Sequence, residues 1–376
     1  MKSIFTILLL SISMNFLNCS FQSAIFNRIK KEKKGENIII SPLSIFQILS
    51  LTTNGAKGKT QLEMLEVLQN KDIEDLNNLN YEILSIFNKF TTVEIANAVM
   101  TKFDPLEDFK KTAENYLAPI EPLISVDQIN NWCKNKTHGK IDKILDELSD
   151  DTAMILINAV YFKGEWASKF DSYLTKNLSF YNFGTEEKKV ETMSQIEHFR
   201  FYEDKKVKAI ELRFKEDYMS AIIILPSEEI DINKYIDTLS ISKDEYSKII
   251  KGLNWAKVHI QLPKFELKYG QILNEILIDL GMYDAFSAEN ADFTGLRKES
   301  GLFINRVIHK TYLKVFEDGC EAAGVTVIDV TDGALPGQEE KIYDMKVNRP
   351  FLFLLKNSKL PEDYDLLFIS KIEALE

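Results

Sequence analysis

The side chains best suited to carry chemistry in this sequence are four histidines, three cysteines and many scattered carboxylates. The histidines are His138, His198, His259 and His309. A Ser–His–Asp triad is assembled by the fold, so sequence spacing alone does not decide whether one exists. However, no serine stands in a GxSxG motif, and the chain has no HExxH, phosphate-binding loop, GxGxxG or EF-hand loop. These residues predict a protein that is not an enzyme.

The cysteines give no sign of a disulfide framework or of a metal site. They are Cys19, Cys133 and Cys320, with no CxxC pair and no Cys/His cluster at metal-ligand spacing. The sequence therefore predicts neither a metal nor a cofactor.

The bulk composition narrows the class of partner. The chain has 376 residues, of which 45% are hydrophobic and 27% charged, enough for a large core. A formal net charge of -11 argues against nucleic acid, an anionic membrane or an activating polyanion as the partner.

The N-terminus has the pattern of a secretory signal peptide. Lys2 is followed by an apolar run from Ile4 to Leu17, which is too short for a spanning helix. We expect residues 1–19 to be a signal peptide cut near Cys19 or Ser20, and the protein to be secreted; the alternative is an uncleaved apolar leader on the first helix. Asn135 and Asn177 lie in glycosylation sequons.

The periodicity predicts helices in the first third of the chain and mainly strands afterwards. Helical stripes occur in SFQSAIFNRIKK, KTQLEMLEVLQ and QINNWCKNKTHGKIDKIL, and a helix with Ser41 at its N-cap follows the short strand NIII. A long apolar strand is predicted at 153–166, more strands at VETMSQ, VKAIELRF, MSAIIILP, KVHIQLPKFEL and FLFLLK, and a late helix ending at Gly281. No linker divides the chain, so we expect one α+β domain over residues 20–376.

Seven stretches, in order and spanning nearly the whole chain, resemble the serpin family. They are NIIISPLSI, NGAKGKTQLEMLEVL, NNWCKNKTHGKI, LINAVYFKGEW, VHIQLPKFEL, IHKTYLKVFEDGCEAAG and NRPFLFLL. The resemblance implies the serpin fold, with three β-sheets, about nine helices and an exposed reactive-centre loop at about residues 317–347. It also implies a monomeric inhibitor with a suicide-substrate mechanism. The target protease cuts the loop and is held as a covalent 1:1 acyl-enzyme, and the cut loop inserts into the central sheet.

The resemblance assigns roles to several residues. Matching the family's shutter, a polar cluster under the central sheet, are Ser41, Ser44, Asn158 and His309. Matching its breach, where insertion begins, are Trp166, Lys264 and Glu317. The alternative interpretation is ordinary packing, capping and surface pairing.

The predicted hinge has the composition that strand insertion requires. It comprises Gly319, Cys320, Glu321, Ala322, Ala323, Gly324, Val325 and Thr326. Because strand side chains alternate between faces, one face carries only uncharged residues: Cys320, Ala322, Gly324, Thr326, Ile328 and Val330. The other carries the charges of Glu321 and Asp329. Insertion is therefore favoured over a non-inhibitory carrier or chaperone, although Cys320 stands where the family usually has Thr or Ser.

The sequence leaves two classes of protease open as the target. Asp329, Val330, Thr331 and Asp332 precede Gly333, which resembles a caspase site cut after Asp332; an arginine-lined pocket would bind that aspartate. The alternative is a chymotrypsin-like serine protease that cuts near Gly333, Ala334 or Leu335. Caspases are cytosolic, whereas a signal peptide directs export. A caspase target is compatible with a signal peptide if the producing organism lives inside a host cell and exports the protein into the host cytosol.

Overall fold

The structure is a computed structural model that describes residues 20–89, 93–241, 243–320 and 340–376. The predicted signal peptide, most of the hinge and the predicted reactive bond lie outside the described residues. Nine α-helices occur in the described part: α1 Phe21–Glu32, α2 Pro42–Gly55, α3 Gly58–Val67, α4 Ile73–Lys89, α5 Glu107–Asn115, α6 Val126–Lys136, α7 Ile232–Ile241, α8 Lys243–Gly252 and α9 Asn274–Leu280.

Sixteen strands are described, and most fall in the second half of the chain. They are β1 Ile38–Ile40, β2 Val93–Thr101, β3 Ile120–Pro122, β4 Met154–Phe162, β5 Gly164–Glu165, β6 Lys176–Asn182, β7 Glu186–Glu203, β8 Val207–Arg213, β9 Met219–Pro226, β10 Asn254–Pro263, β11 Phe265–Ile272, β12 Arg306–Phe316, β13 Gly319–Cys320, β14 Ile342–Lys346, β15 Phe351–Asn357 and β16 Leu366–Ile372. The strands and helices confirm the expected α+β class.

The central sheet has the strand order β3-β2-β4-β12-β13-β5, with β11 also paired to β12. Strand β4 is buried along its whole length. Its residues Leu156 and Val160 face the large core, whereas Ile155 and Ile157 face a smaller core under α6. A strand covered on both faces reads as a continuous apolar run, which is why its period-2 pattern is invisible in the sequence.

The other strands form one hydrogen-bonded network with two arms that share the long strand β7. One arm runs β8-β9-β15-β16-β1, and the other consists of β6, β10 and β14. The described strands therefore form two hydrogen-bonded sheets, and the three sheets that the resemblance implies are obtained when the two arms on β7 are counted separately. Helix α2 packs against β16, β2 and β4, so it lies between the central sheet and the first arm.

Three local expectations needed correction. The helix predicted over QINNWCKNKTHGKIDKIL ends at Lys136, because Thr137 leaves helical geometry and turns the chain through Gly139. The strand predicted at 153–166 is interrupted between Phe162 and Gly164. Ser41 does precede α2, but its side chain makes no capping hydrogen bond.

Candidate functional site

The central sheet contains a parallel contact between β4 and β12, which we call the seam. Seven residue pairs form it, from Arg306 opposite Ile155 to Tyr312 opposite Tyr161. Both strands otherwise have antiparallel neighbours, β2 beside β4 and β11 beside β12. Parallel ladders are slightly less stable per residue than antiparallel ones. The seam is thus a line of weaker pairing between antiparallel neighbours; the shorter β2–β3 contact near the edge of the sheet is also parallel.

A row of buried polar side chains crosses the seam. Asn97, Asn158 and His309 are direct partners on β2, β4 and β12. The Asn158 amide donates to the Asn97 side-chain oxygen, and the His309 ring bonds the Asn158 side-chain oxygen. Parting the strands at the seam breaks the His309–Asn158 bond.

Helix α2 connects to this row from beneath. The Ser41 backbone N–H donates to His309 Nε2 at 3.1 Å, and the Ser44 hydroxyl lies 2.8 Å from the Asn158 oxygen. Because Nε2 accepts, the ring proton is assigned to Nδ1, which donates to Asn158. All four predicted shutter residues therefore meet in one buried cluster; Ser41 takes part through its backbone only.

Burial sets the protonation state of His309. The imidazole is fully buried, and that burial lowers its pKa to about 3. At neutral pH the ring is uncharged, as its acceptor nitrogen requires. The cluster is therefore a set of neutral hydrogen bonds, complete only while the seam is closed.

Above the seam, β12 and β4 diverge and a short third segment lies between their extensions. Gly319 and Cys320 of β13 pair with Phe316 and Val315 on one side and with Glu165 and Gly164 on the other. Strand β13, which leads into the predicted loop, thus already fills the first two residue positions between β12 and β5.

Gly319 is required at this point by both space and conformation. Its φ is +150°, and an added Cβ would overlap the Gly164 carbonyl oxygen and lie 2.8 Å from Glu165 Cα. Next to it, Cys320 is completely buried, and burial raises the pKa of its thiol well above the ordinary value. Cys320 therefore behaves as a small apolar side chain, as expected from its size.

Trp166 closes the top of this opening. Its ring is 1% exposed and stacks on Phe214 with centroids 4.5 Å apart. Its indole N–H donates to the Phe316 carbonyl at 3.0 Å, and its backbone N–H donates to the Asp318 carbonyl. Trp166 thereby links β5 to the turn between β12 and β13, the place predicted for a breach residue.

The other two predicted breach residues, Lys264 and Glu317, form an ion pair at the base of the loop. Lys264 Nζ lies 3.3 Å from a Glu317 carboxylate oxygen, which also accepts a 2.8 Å bond from the Thr175 hydroxyl. Burial alone would raise the pKa of Glu317, but the Thr175 bond and Lys264 outweigh it and lower the pKa. A second pair, Lys169 with Asp318 at 2.9 Å, holds the next residue of the turn.

The far end of the predicted loop is held by histidines. His259 lies between Ser194 at 3.0 Å and Asp344 at 3.2 Å, and His198 pairs with Glu340 at 2.8 Å. The Ser–His–Asp order is that of a hydrolytic triad, but the three residues stand on adjacent strands β7, β10 and β14, and Asp344 is 57% exposed. Their contacts fasten β14, the strand that follows the loop, to β10 and β7.

The predicted loop range is described only at its two ends. Residues 317–320 and 340–347 form the turn, β13, β14 and their flanks. Outside the described residues lie the rest of the hinge (Glu321, Ala322, Ala323, Gly324, Val325 and Thr326), the specificity residues Asp329, Val330 and Thr331, and the candidate cut positions Asp332, Gly333, Ala334 and Leu335.

The family model described as "Serpin (serine protease inhibitor)" matches residues 17–373. The chain belongs to the serpin family. Serpins are mostly protease inhibitors that bind their target in 1:1 complexes, rather than catalysts.

Relatives from distant organisms agree with this assignment. The chain is 31% identical to an uncharacterised serpin-like protein of Methanosarcina acetivorans, over 96% of this chain and 85% of that protein. It is 30% identical to human Serpin B8, over 91% and 95%. Among solved structures, the thermophilic serpin Tengpin in its native state matches with a TM-score of 0.84 and 32% identity, over 96% of this chain and 94% of that one.

Several contributors to the site were not predicted from the sequence. They are Asn97 in the polar row, Thr175 on Glu317, Lys169 on Asp318, and Gly164 beneath β13. Only Gly164 had a local signal, since a glycine inside an apolar strand pattern suggests a close backbone approach. In the described part of the chain, no group of three or more His, Cys, Asp or Glu is arranged to hold a metal, and no helix could span a membrane.

Proposed function

We propose that this serpin inhibits a protease by inserting its cut loop into the seam, and that the protease is a caspase that cuts after Asp332. The observation that carries the insertion step is the pairing of Gly319 and Cys320 with both separated strands above the closed seam. Insertion would continue a strand that is already begun.

The register of β13 against β12 and β5 determines where the inserted residues would lie. Cys320 stands opposite Val315 on one side and Gly164 on the other. Continuing downward, Ala322 would come opposite Leu313 and Phe162, and Thr326 opposite His309 and Asn158. Since His309 and Asn158 are themselves partners across the seam, the two edges agree on a single register.

This register also decides which face the small residues take. Leu313 and Val315 belong to the large core, so Cys320, Ala322, Gly324 and Thr326 would face that core. The charged residues of the opposite strand face, Glu321 and Asp329, would lie on the side of the sheet that α6 covers. The uncharged set predicted from the sequence is therefore the set that the described strands would bury.

The energy available is sufficient for trapping. Insertion would break seven parallel pairs but form a ladder on both edges of the new strand. About ten additional hydrogen bonds at about 1 kcal/mol each give roughly 10 kcal/mol. That is comparable to the whole stability of a typical domain, and it would suffice to distort an attached protease.

Support for a caspase as the target comes from the sequence Asp329–Val330–Thr331–Asp332–Gly333. An aspartate before the bond, a second aspartate three residues upstream and a small residue after it suit a pocket lined by arginine. A secreted protein would meet caspases only after delivery into a host cell, which is part of this proposal.

A serine protease is the second candidate target. The chain is 30% identical to the leukocyte elastase inhibitor of Xenopus tropicalis, over 90% of this chain and 94% of that protein. Elastases have a small specificity pocket, which would accept Ala334, whereas Leu335 would suit a chymotrypsin-like pocket.

The deciding experiment is incubation with a panel of caspases and a panel of elastase-like and chymotrypsin-like proteases, followed by mass mapping of the cut. We expect an SDS-stable 1:1 complex with a caspase, cleavage after Asp332, and loss of inhibition in Asp332→Ala but not in Ala334→Ser. Cleavage at Ala334 or Leu335, with Asp332→Ala fully inhibitory, would refute the caspase target.

Insertion itself is tested by a matched pair of substitutions. Ala322→Glu would place a carboxylate against Leu313 and Phe162, where an unpaired buried charge costs several kcal/mol. Ala323→Glu would place the same carboxylate on the opposite face. We expect Ala322→Glu to make the protein a substrate, with a several-fold rise in the stoichiometry of inhibition, while Ala323→Glu keeps inhibiting. Equal effects of the two changes would contradict the register.

A carrier or chaperone role is distinguished by nicking the loop with a non-target protease. Insertion should raise the melting temperature of the nicked protein strongly. Gly324→Arg should abolish that rise by blocking entry. A melting temperature that does not change on nicking would exclude trapping by insertion.

A further inference from the structure

A lysine beside the breach links β5 to the turn between β12 and β13. Lys169 Nζ lies 2.9 Å from an Asp318 carboxylate oxygen and 3.2 Å from a Glu165 carboxylate oxygen. Glu165 pairs in turn with Lys215, which follows β8. Charges of alternating sign therefore run from Lys215 through β5 to the turn, and the Lys169 side chain in the middle of this ion-pair chain is only 17% exposed.

The partners of Lys169 compensate for its burial. Burial alone would lower the pKa of Lys169, but the hydrogen bonds to Asp318 and Glu165 outweigh it and raise the pKa. The pKa of Glu165 is lowered, first by its bond to Lys215 and then by its bond to Lys169. The members of the ion-pair chain are therefore held in their charged forms at neutral pH.

The backbone on either side of Lys169 holds the same turn. The Trp166 N–H donates to the Asp318 carbonyl at 2.9 Å, and the Phe170 N–H donates to the Glu317 carbonyl at 3.0 Å. Lys169 stands between these two donors in the sequence. Its ammonium adds a side-chain contact to Asp318, so the segment 166–170 fixes the turn through both backbone and side chain.

The position of this turn decides the register in which the loop would enter the seam. Gly319 follows Asp318 directly and pairs with Glu165. A slip by one residue exchanges the two faces of a strand, so Glu321 would turn toward the large core in place of Ala322. A buried charge without a partner would stall entry. A contact that holds Asp318 in place therefore favours the register that buries small, uncharged residues.

We propose that Lys169 is a positioning residue for inhibition, which holds the turn before β13 through Asp318 and Glu165 so that the cut loop enters the seam in one register. The proposal rests on the insertion mechanism proposed above. These contacts lie above the first residue to be inserted, so they persist during entry, whereas the His309–Asn158 bond breaks. Lys169 thus acts on the choice between trapping and release, and not on recognition of the loop by the protease.

The test uses the panel protease that forms the SDS-stable complex and compares two measurements. One is the stoichiometry of inhibition, the number of serpin molecules consumed for each protease molecule trapped; the other is the rate of loop cleavage. Lys169→Met keeps the length of the stem and removes the charge. We expect its stoichiometry of inhibition to rise roughly threefold or more, as for the loss of a partly buried ion pair, with the cleavage rate little changed. An unchanged stoichiometry, or a loss of cleavage rate alone, would overturn the proposal.

Matched variants separate the charge from the packing, and the turn from the rest of the ion-pair chain. Lys169→Arg keeps the charge and should keep the wild-type stoichiometry. Lys215→Met removes the other cation on Glu165 without touching the turn, and should have a much smaller effect than Lys169→Met. The exchange of Lys169→Glu with Asp318→Lys should restore trapping relative to either single variant. If the exchange gives no rescue, the contact between the two side chains is not what positions the loop.

A second readout does not require inhibition. The Cys320 thiol is fully buried in β13, so iodoacetamide reaches it only when β13 leaves the sheet. Lys169→Met should accelerate this alkylation in the uncut protein by roughly threefold, whereas Lys215→Met should not. If the wild-type protein traps no protease, the proposed function fails, and the alkylation rates still decide whether Lys169 holds the turn. Equal rates in wild type and Lys169→Met would refute the positioning role.

Discussion

Replacing Gly319 by alanine should release the start of the loop from the sheet. The added Cβ would overlap the Gly164 carbonyl oxygen and approach Glu165 Cα to 2.8 Å, both rigid backbone groups. At φ +150° the substitution is strained even without the clash. Neither β5 nor β12 can move without disturbing Trp166, so β13 should withdraw instead.

The size of the effect follows from what β13 loses. When β13 withdraws, Gly319 and Cys320 lose their backbone pairing with β12 on one side and with β5 on the other. Each net hydrogen bond lost costs about 1 kcal/mol, and the small Cys320 side chain becomes exposed. A cost of about 2 to 3 kcal/mol corresponds to roughly a 30- to 150-fold larger open population. Withdrawal should leave the global fold in place, since the seam below is untouched.

Cys320 reports this change directly. In the folded protein its thiol is fully buried and held in the unreactive protonated form by its raised pKa. We expect Gly319→Ala to accelerate the alkylation of Cys320 by iodoacetamide by roughly 30- to 150-fold. The rate is measured by mass spectrometry of the peptide that contains Cys320. Gly301→Ala is the control, with φ +80° but no atom within 4 Å of the added Cβ. Alkylation at the wild-type rate, or equal acceleration in the control, would refute the assigned geometry.

Three further predictions concern the cluster and the breach. Because burial lowers the pKa of His309 to about 3 while an unfolded histidine titrates near ~6.5, stability should fall as the pH drops below about 6.5, by up to ~1.4 kcal/mol per unit. His309→Gln should flatten this acid slope in urea titrations, and identical slopes would contradict the assignment. Trp166→Phe removes the bond to Phe316 and should lower the free energy of unfolding by roughly 1 to 3 kcal/mol; no change in thermal melting would argue against it. Glu317→Gln should weaken the Lys264 contact by about 1 kcal/mol at low salt, and an equal loss at high salt would show that the effect is not electrostatic.

The part of the site that lies in stretches resembling the family is predictable from the sequence. The resemblance groups Ser44, Asn158 and His309, and the structure brings these three side chains together. The position of Ser41 was predicted correctly, but its capping role was not, since its backbone is used by His309.

What local pattern could not supply is contact between distant segments. Asn97 stands in β2, whose partners lie about 60 residues away on β4, and nothing in its own neighbourhood marks it. The seam joins residues about 150 positions apart. Strand β13 is two residues long, and its place between β12 and β5 depends on a glycine fit that only coordinates reveal.

The seam also bears on how this sequence can change over time. If the cut loop enters between β4 and β12, every residue of their facing edges must serve in two structures, with two different partners. A substitution that strengthens the present contact also resists its replacement by the loop. Positions 155–161 and 306–312 should therefore tolerate fewer substitutions than equally buried positions on β9 or β15, and a deep mutational scan scored separately for folding and for inhibition should show the two scores diverging there.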